Sequence, residues 1–256
     1  MILDLILATK SEEVAELKKK ISLAALQEKI SRMEPCRDFR TAISINSCAV
    51  IAEVKGASPS RGRLVKNFHP VEIAEIYEKN GAAAISVLTD GKYFAGKNEY
   101  LTQIRHKVCL PLLRKDFIID TRQIYETRAL GADAVLLIAA VLKDKLGEFI
   151  AIAAGLGLQQ LVEVHTHSEL RDALAAGAEI IGINNRNLTN FVTDINACRN
   201  LAPFIPPDRI AVAESGISRR KDIETLLNAG IHVFLIGEAL VTANDIGKKL
   251  RALRGS

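Results

Sequence analysis

Apolar positions in this chain recur in one order. A stretch with apolar residues at helical spacing ends in glycine, and a short apolar run follows within one to three residues. This occurs at Asn80-Gly81-Ala82 before Ala83–Thr89, at Leu130-Gly131-Ala132 before Ala134–Ala140, and at Leu156-Gly157 before Leu158–Val164. It recurs at Ala176-Gly177-Ala178 before Glu179–Asn185 and at Ala229-Gly230 before Ile231–Gly237. Glycine just past a helix end adopts the left-handed conformation that turns the chain back towards a strand. Three further apolar runs, Cys48–Val54, Leu110–Lys115 and Arg209–Glu214, bring the strand count to eight. Helical spacing appears between them at Ile73, Ile76 and Tyr77, and at Leu142, Leu146, Phe149, Ile150 and Ala153. It appears again at Leu170 and Leu174, at Ile223, Leu226 and Leu227, and at Ile246 and Leu250.

Eight strands alternating with helices predict a parallel sheet. The chain has 256 residues, and a (β/α)8 barrel typically takes ~250. An open doubly wound sheet is the alternative. It would carry G-x-G-x-x-G after its first strand, which this chain lacks. The expected fold is therefore an α/β TIM barrel, one domain over residues 1–256. Residues 1–45 read as an N-terminal helical extension of it. Thr9 and Glu12 form a capping-box pattern there. Val14, Leu17 and Ile21, then Leu23, Leu26 and Ile30, mark two amphipathic helices that end before Pro35. The Lys18–Lys20 run reads as a solvated face.

Composition narrows the function classes. Hydrophobic residues make up 48% and charged residues 25%, which excludes disordered, collagen-like and coiled-coil chains. The net charge of +4 comes with no basic block longer than Lys18–Lys20, so no nucleic-acid partner is expected. A local anionic ligand such as a phosphate fits the small excess better. Cys36, Cys48, Cys109 and Cys198 include no CxxC pair, so they are expected to be reduced and mostly buried. The apolar start carries Asp4 and lacks a basic n-region and a cleavage site. No signal peptide, no membrane span and a cytoplasmic location are expected.

In a barrel, chemistry sits where strands end. Alternation puts Ile51, Glu53 and Lys55 on one face of the first strand. It aligns Leu113 with Lys115, Leu161 with Glu163 and His165, and Gly182 with Asn184 and Arg186. Strand seven ends at Glu214-Ser215-Gly216 and strand eight at Gly237-Glu238. Any one such charge can be a rim salt bridge, but the set cannot be buried at one mouth without pairing or a ligand. A Lys beside a carboxylate there serves acid–base chemistry. Gly216 and Gly237 suit backbone N–H contacts to phosphate. His165-Thr166-His167 resembles a metal HxH, but no third ligand follows at matching spacing, so no metal is expected. Lys55–Gly62 is Gly/Ser-rich without the P-loop ending and reads as a lid or a flexible loop.

These blocks resemble the indole-3-glycerol phosphate synthase family. They are Ile51–Lys55 with Ala57–Gly62, Val87–Asp90 with Tyr93–Gly96, Pro111–Phe117, Leu161–His165, Gly182–Leu188, Ala213–Ile217 and Leu235–Leu240. The likeness runs over the whole chain, its N-terminal extension included. It implies ring closure, decarboxylation and dehydration of 1-(2-carboxyphenylamino)-1-deoxyribulose 5-phosphate to indole-3-glycerol phosphate, in tryptophan biosynthesis, without cofactor or metal. It implies Lys115 as general acid, Glu163 as general base, and Lys55 paired with Glu53. Asn184 and Ser215 join this catalytic set. Ser58, Arg186, Glu214, Gly216, Gly237 and Glu238 contact substrate, and Phe94, Phe117, Leu136 and Leu188 form an apolar slot for the aromatic ring. Gly56, His69 and Val241 stand where family members often carry Lys, Asp and Met, which bears on the loop after strand one. The expected partner is a small phosphorylated substrate, and the expected state a monomer or weak homodimer. The rival readings are phosphoribosylanthranilate isomerase, which wants an Asp/Cys pair; a Schiff-base aldolase using Lys55 or Lys115; and a non-catalytic phosphate sensor, which would not need Lys115 with Glu163.

Overall fold

The computed structural model describes residues 2–59, 61–186 and 193–255. Eight parallel strands close a barrel: β1 Ala49–Val54, β2 Ala84–Leu88, β3 Leu112–Lys115, β4 Ala134–Ile138, β5 Gln159–Val164, β6 Ile180–Asn184, β7 Ile210–Glu214 and β8 Val233–Ile236. Closure comes from β1, which pairs with β2 (Glu53 beside Ser86) and with β8 (Ile51 beside Leu235). All eight expected strands are present, most of them trimmed by one or two residues at their ends. The five expected turns hold as well: Gly81, Gly131, Gly157, Gly177 and Gly230 all have φ between 77° and 93°.

Both strand faces are buried, as a parallel sheet under helices requires. Ile51, Leu113, Leu136, Leu161, Val212 and Leu235 fill the interior. Val50, Ile85, Leu137, Val162, Ile181 and Phe234 form the outer layer beneath the helices.

The extension has three helices, α1 Ile2–Lys20, α2 Leu23–Ser31 and α3 Phe39–Ser44. α1 starts at Ile2, so the expected capping box at Thr9 is corrected. Thr9 lies inside the helix and its hydroxyl donates to the Leu5 carbonyl at 3.1 Å. Ser and Thr bond the preceding turn in this way when no helix end is near. α3, unforeseen in the sequence, packs Phe39 and Ile43, fully buried, into the interior cluster. It sits at the strands' N-terminal ends, where Arg40 N–H meets the Gln159 side chain at 2.7 Å. α1 instead crosses the C-terminal ends. Its Ile6 packs with Phe117, and the buried Lys10 ammonium lies 3.2 Å from Asp90 and 2.8 Å from Asp116. The extension thus runs from the mouth of the barrel to its floor.

Around the barrel run α4 Pro70–Lys79, α5 Asn98–Arg105, α6 Thr121–Ala129, α7 Leu146–Gly155, α8 His167–Ala175, α9 Asn196–Leu201, α10 Arg220–Leu227 and α11 Ile246–Arg254. Apolar spacing missed α5, α6 and α9. α6 is mostly polar and starts by a capping box of Asp120 and Gln123. The cysteines are free, but only Cys198 is fully buried; Cys36 and Cys48 are half-buried and Cys109 is exposed, against expectation. Among the described residues no helix is long and apolar enough to cross a membrane.

Candidate active site

Because the interior face of each strand alternates, the last inward residue of five strands is polar. These are Glu53, Lys115, Glu163, Asn184 and Glu214, from β1, β3, β5, β6 and β7. The three carboxylates are at most 3% exposed. Lys115 Nζ lies 3.1 Å from Glu214 Oε2 and 3.3 Å from Glu163 Oε2. Lys55 Nζ lies 2.6 Å from Glu53 Oε2. Buried charges persist only when paired in this manner.

Glycines make room for two of these carboxylates. A Cβ at Gly182 would overlap Glu214 Oε1, and one at Gly237 would overlap Glu53 Oε2. Gly237 therefore has a packing role beside the phosphate role expected of it.

The electrostatics divide the cluster. Burial pulls the Lys115 pKa down, but Glu214, Glu163 and Glu53 outweigh it and hold the ammonium charged. Burial raises the Glu163 carboxyl, yet Lys115, His165 and a hydrogen bond from Asn184 bring it below its ordinary value. Glu214 goes the other way. Burial, reinforced by Glu163 and Glu53 and only partly opposed by Lys115, pushes it up to about 7. One ammonium between two carboxylates thus leaves one of them ionised and the other poised to hold a proton.

These groups line a cavity of about 660 Å3. One wall is apolar: Phe94, Phe117, Leu136, Ile138 and Leu235, with the two phenyl centroids 6.2 Å apart. Gly216, Ser218, Gly237 and Lys249 border another side. The chain turns sharply there, with Ser215 at φ 65° and Gly216 at φ 78°. Arg186 Nη2 lies 3.6 Å from Glu238 Oε2, and Arg61 Nε lies 3.0 Å from Glu238 Oε1.

The structure brings together Glu53, Lys55, Phe94, Lys115, Phe117, Leu136, Glu163, Asn184, Arg186, Glu214, Ser215, Gly216, Gly237 and Glu238. Ser58 does not join them; it is buried in a two-residue ladder, Ala57–Ser58 against Gly62–Arg63, outside the cavity wall. Leu188 lies outside the described residues. Sequence reasoning missed Arg61, Asp116 and Lys249, which also line the cavity. Asp116 was visible in the Leu113–Asp116 strand end; Lys249 comes from α11 and carries no such signal. The two histidines of His165-Thr166-His167 diverge. His165 lies between Glu163 and Glu169, while His167 stacks edge-on against Phe204 at 4.7 Å. The loop after β1 is a hairpin, and its Arg61 reaches Glu238 at the end of the neighbouring β8.

The fold resembles that of solved barrels. A thiamine phosphate pyrophosphorylase from Pyrococcus furiosus superposes with a TM-score of 0.63 at 18% identity, covering 82% of this chain and 95% of that one. A 3-hexulose-6-phosphate synthase superposes at 0.67 with 15% identity, covering 81% and 98%. At such identities only the architecture is shared. Sequence comparison reaches further. Indole-3-glycerol phosphate synthase of Alkaliphilus metalliredigens is 51% identical over 256 residues, covering 99% of this chain and 98% of that protein. The enzyme of the same name from Legionella pneumophila (strain Paris) is 50% identical over 256 residues, covering 98% of each. With the family profile matching residues 3–253 and the barrel mouth built as described, the chain belongs to the indole-3-glycerol phosphate synthase family.

Proposed function

We propose that the cavity closes the indole ring with Lys115 as general acid and Glu163 as general base. As a family member the chain is a carboxy-lyase of tryptophan biosynthesis acting on a small phosphorylated substrate. The substrate is 1-(2-carboxyphenylamino)-1-deoxyribulose 5-phosphate. Its aromatic carbon bearing the carboxylate attacks the ribulose carbonyl, and Lys115 protonates the developing alkoxide. Carbon dioxide leaves and restores the aromatic ring. Lys115, reprotonated from solvent, then gives the hydroxyl the proton with which it departs as water, while Glu163 takes a proton from the closing ring. Product is indole-3-glycerol phosphate.

The observation that carries this reading is the contact of Lys115 with Glu163 at 3.3 Å at one mouth, the carboxylate buried and the lysine side chain 15% exposed. General acid–base chemistry needs an acid and a base within reach of one reacting centre. The apolar wall of Phe94, Phe117 and Leu136 suits a flat aromatic ring. Gly216 and Gly237 stand where barrels of this class take phosphate. Lys55, Arg61, Arg186 and Lys249 are cations of the cavity lining for the carboxylate and phosphate, and the contact of Arg61 with Glu238 supports a hairpin that borders the mouth. We infer a cytoplasmic enzyme, monomeric or weakly dimeric, a location supported by the four free thiols. Purified protein given this substrate should develop indole fluorescence. A folded preparation that yields none overturns the reading.

A further inference from the structure

His165 follows the end of β5 directly and is held from two sides. Its backbone N–H donates to Glu169 Oε2 at 2.7 Å, and its Nδ1 lies 3.5 Å from the same oxygen. Its Nε2 lies 3.7 Å from Glu163 Oε1. That nitrogen is fully buried and has no hydrogen-bond partner among the described residues. Lys115 meets the other oxygen of Glu163, Oε2, so each carboxylate oxygen faces its own basic side chain. A buried nitrogen without a partner is uncommon in folded proteins and calls for a reason. Its aim at the Glu163 carboxylate supplies one.

We infer that His165 is a positioning residue, which as the imidazolium holds the Glu163 carboxylate ionised and oriented for its work. The inference rests on Glu163 being the base. Glu163 is faced by Lys115 from β3, the neutral Asn184 from β6 and His165 itself, with the like-charged Glu214 of β7 nearby. His165 is faced by Glu169 of α8, by Glu163 and, farther off, by Glu214. Burial alone would discharge the ring, but these carboxylates raise its pKa above the ordinary histidine value. The sign of the coupling follows. A positive neighbour favours the carboxylate and lowers its pKa. Removing that charge raises it, and the acid limb of kcat against pH moves to higher pH. Coupling is reciprocal, so neutralising Glu163 must lower the His165 pKa by the same amount.

Two readouts test this. The first is an NMR titration of the His165 ring in the parent enzyme and in Glu163→Gln. The second is the pH profile of kcat for the parent, His165→Gln and Glu169→Gln. Glu169→Gln keeps the imidazole and removes only its outer clamp, so it separates lost anchoring from lost charge, and the ring titration in Glu163→Gln serves even where His165→Gln folds poorly. The expected result is a His165 pKa lower by about half a unit or more in Glu163→Gln. The acid limb should move upward by a similar amount in His165→Gln and stay in place in Glu169→Gln, whose ring is still charged at the pH of that limb, with kcat above pH 7.5 changed less than about threefold in both. An unchanged His165 titration in Glu163→Gln overturns the inference. A shifted titration beside an unmoved His165→Gln profile instead overturns Glu163 as the base, and the positioning role with it.

Discussion

The Glu53 carboxylate occupies the space that a side chain at residue 237 would take. A Cβ on Gly237 would overlap Glu53 Oε2, the oxygen that meets Lys55 Nζ at 2.6 Å. β1 and β8 are neighbours in the barrel, so the missing side chain on one strand fixes the carboxylate on the other. Gly237→Ala should therefore displace Glu53 and loosen Lys55. Turnover should fall at least ~10-fold, since misplaced catalytic groups are costly at the ångström scale. Circular dichroism should remain that of the parent. Full activity in the alanine variant would show that the close approach is dispensable.

Glu214 predicts a pH-dependent stability. Its folded pKa is pushed from 4.5 up to about 7, so between those values the folded protein holds a proton that the unfolded chain has released. Stability then falls as pH rises through that window. Glu214→Gln removes this loss while Lys115 keeps Glu163 as its partner. The variant should gain about 1–3 kcal/mol on the parent at pH 8 and little or nothing below pH 4.5. Thermal unfolding at both pH values checks it. A gain of equal size at each, or a loss confined to pH 8, contradicts the assignment.

Lys10 predicts where the extension is fastened. Its ammonium, 3% exposed, ties α1 to Asp90 at the end of β2 and to Asp116 beside Lys115. Lys10→Met takes the cation from buried Asp90 and leaves Asp116 with Arg114 at 3.3 Å, and removing one partner of a buried pair costs about 3–5 kcal/mol. Urea unfolding should show the loss. A midpoint within error of the parent would place the fastening of α1 elsewhere.

Lys10 also marks how far the sequence could be read. The barrel was legible because two local rules repeat: glycine at each of five helix ends, and inward alternation that brings Glu53, Lys115, Glu163, Asn184 and Glu214 to one rim. Both rules act within a few residues. Lys10 sits in a run that looks apolar, and its partners lie about 80 and 106 residues away in the chain, so no local pattern reveals it. Arg61 and Lys249 escaped for the same reason. α6 escaped because its start is written in capping chemistry at Asp120 and Gln123, not in apolar spacing. Thr9 misled because the hydroxyl that caps a helix also bonds back within one. Gly56, in the loop read as a lid or a flexible loop, lies outside the left-handed region, and a Cβ there would press on the Phe68 ring at 3.2 Å.

The central claim is that Lys115, clasped between Glu163 and Glu214, is the acid of the ring closure. Steady-state kinetics of Lys115→Ala test it most directly, with circular dichroism to confirm the fold. Turnover should fall at least ~100-fold, the scale of general-acid help, while KM changes far less. Near-normal kcat in a folded Lys115→Ala enzyme would remove Lys115 from the chemistry and contradict the account.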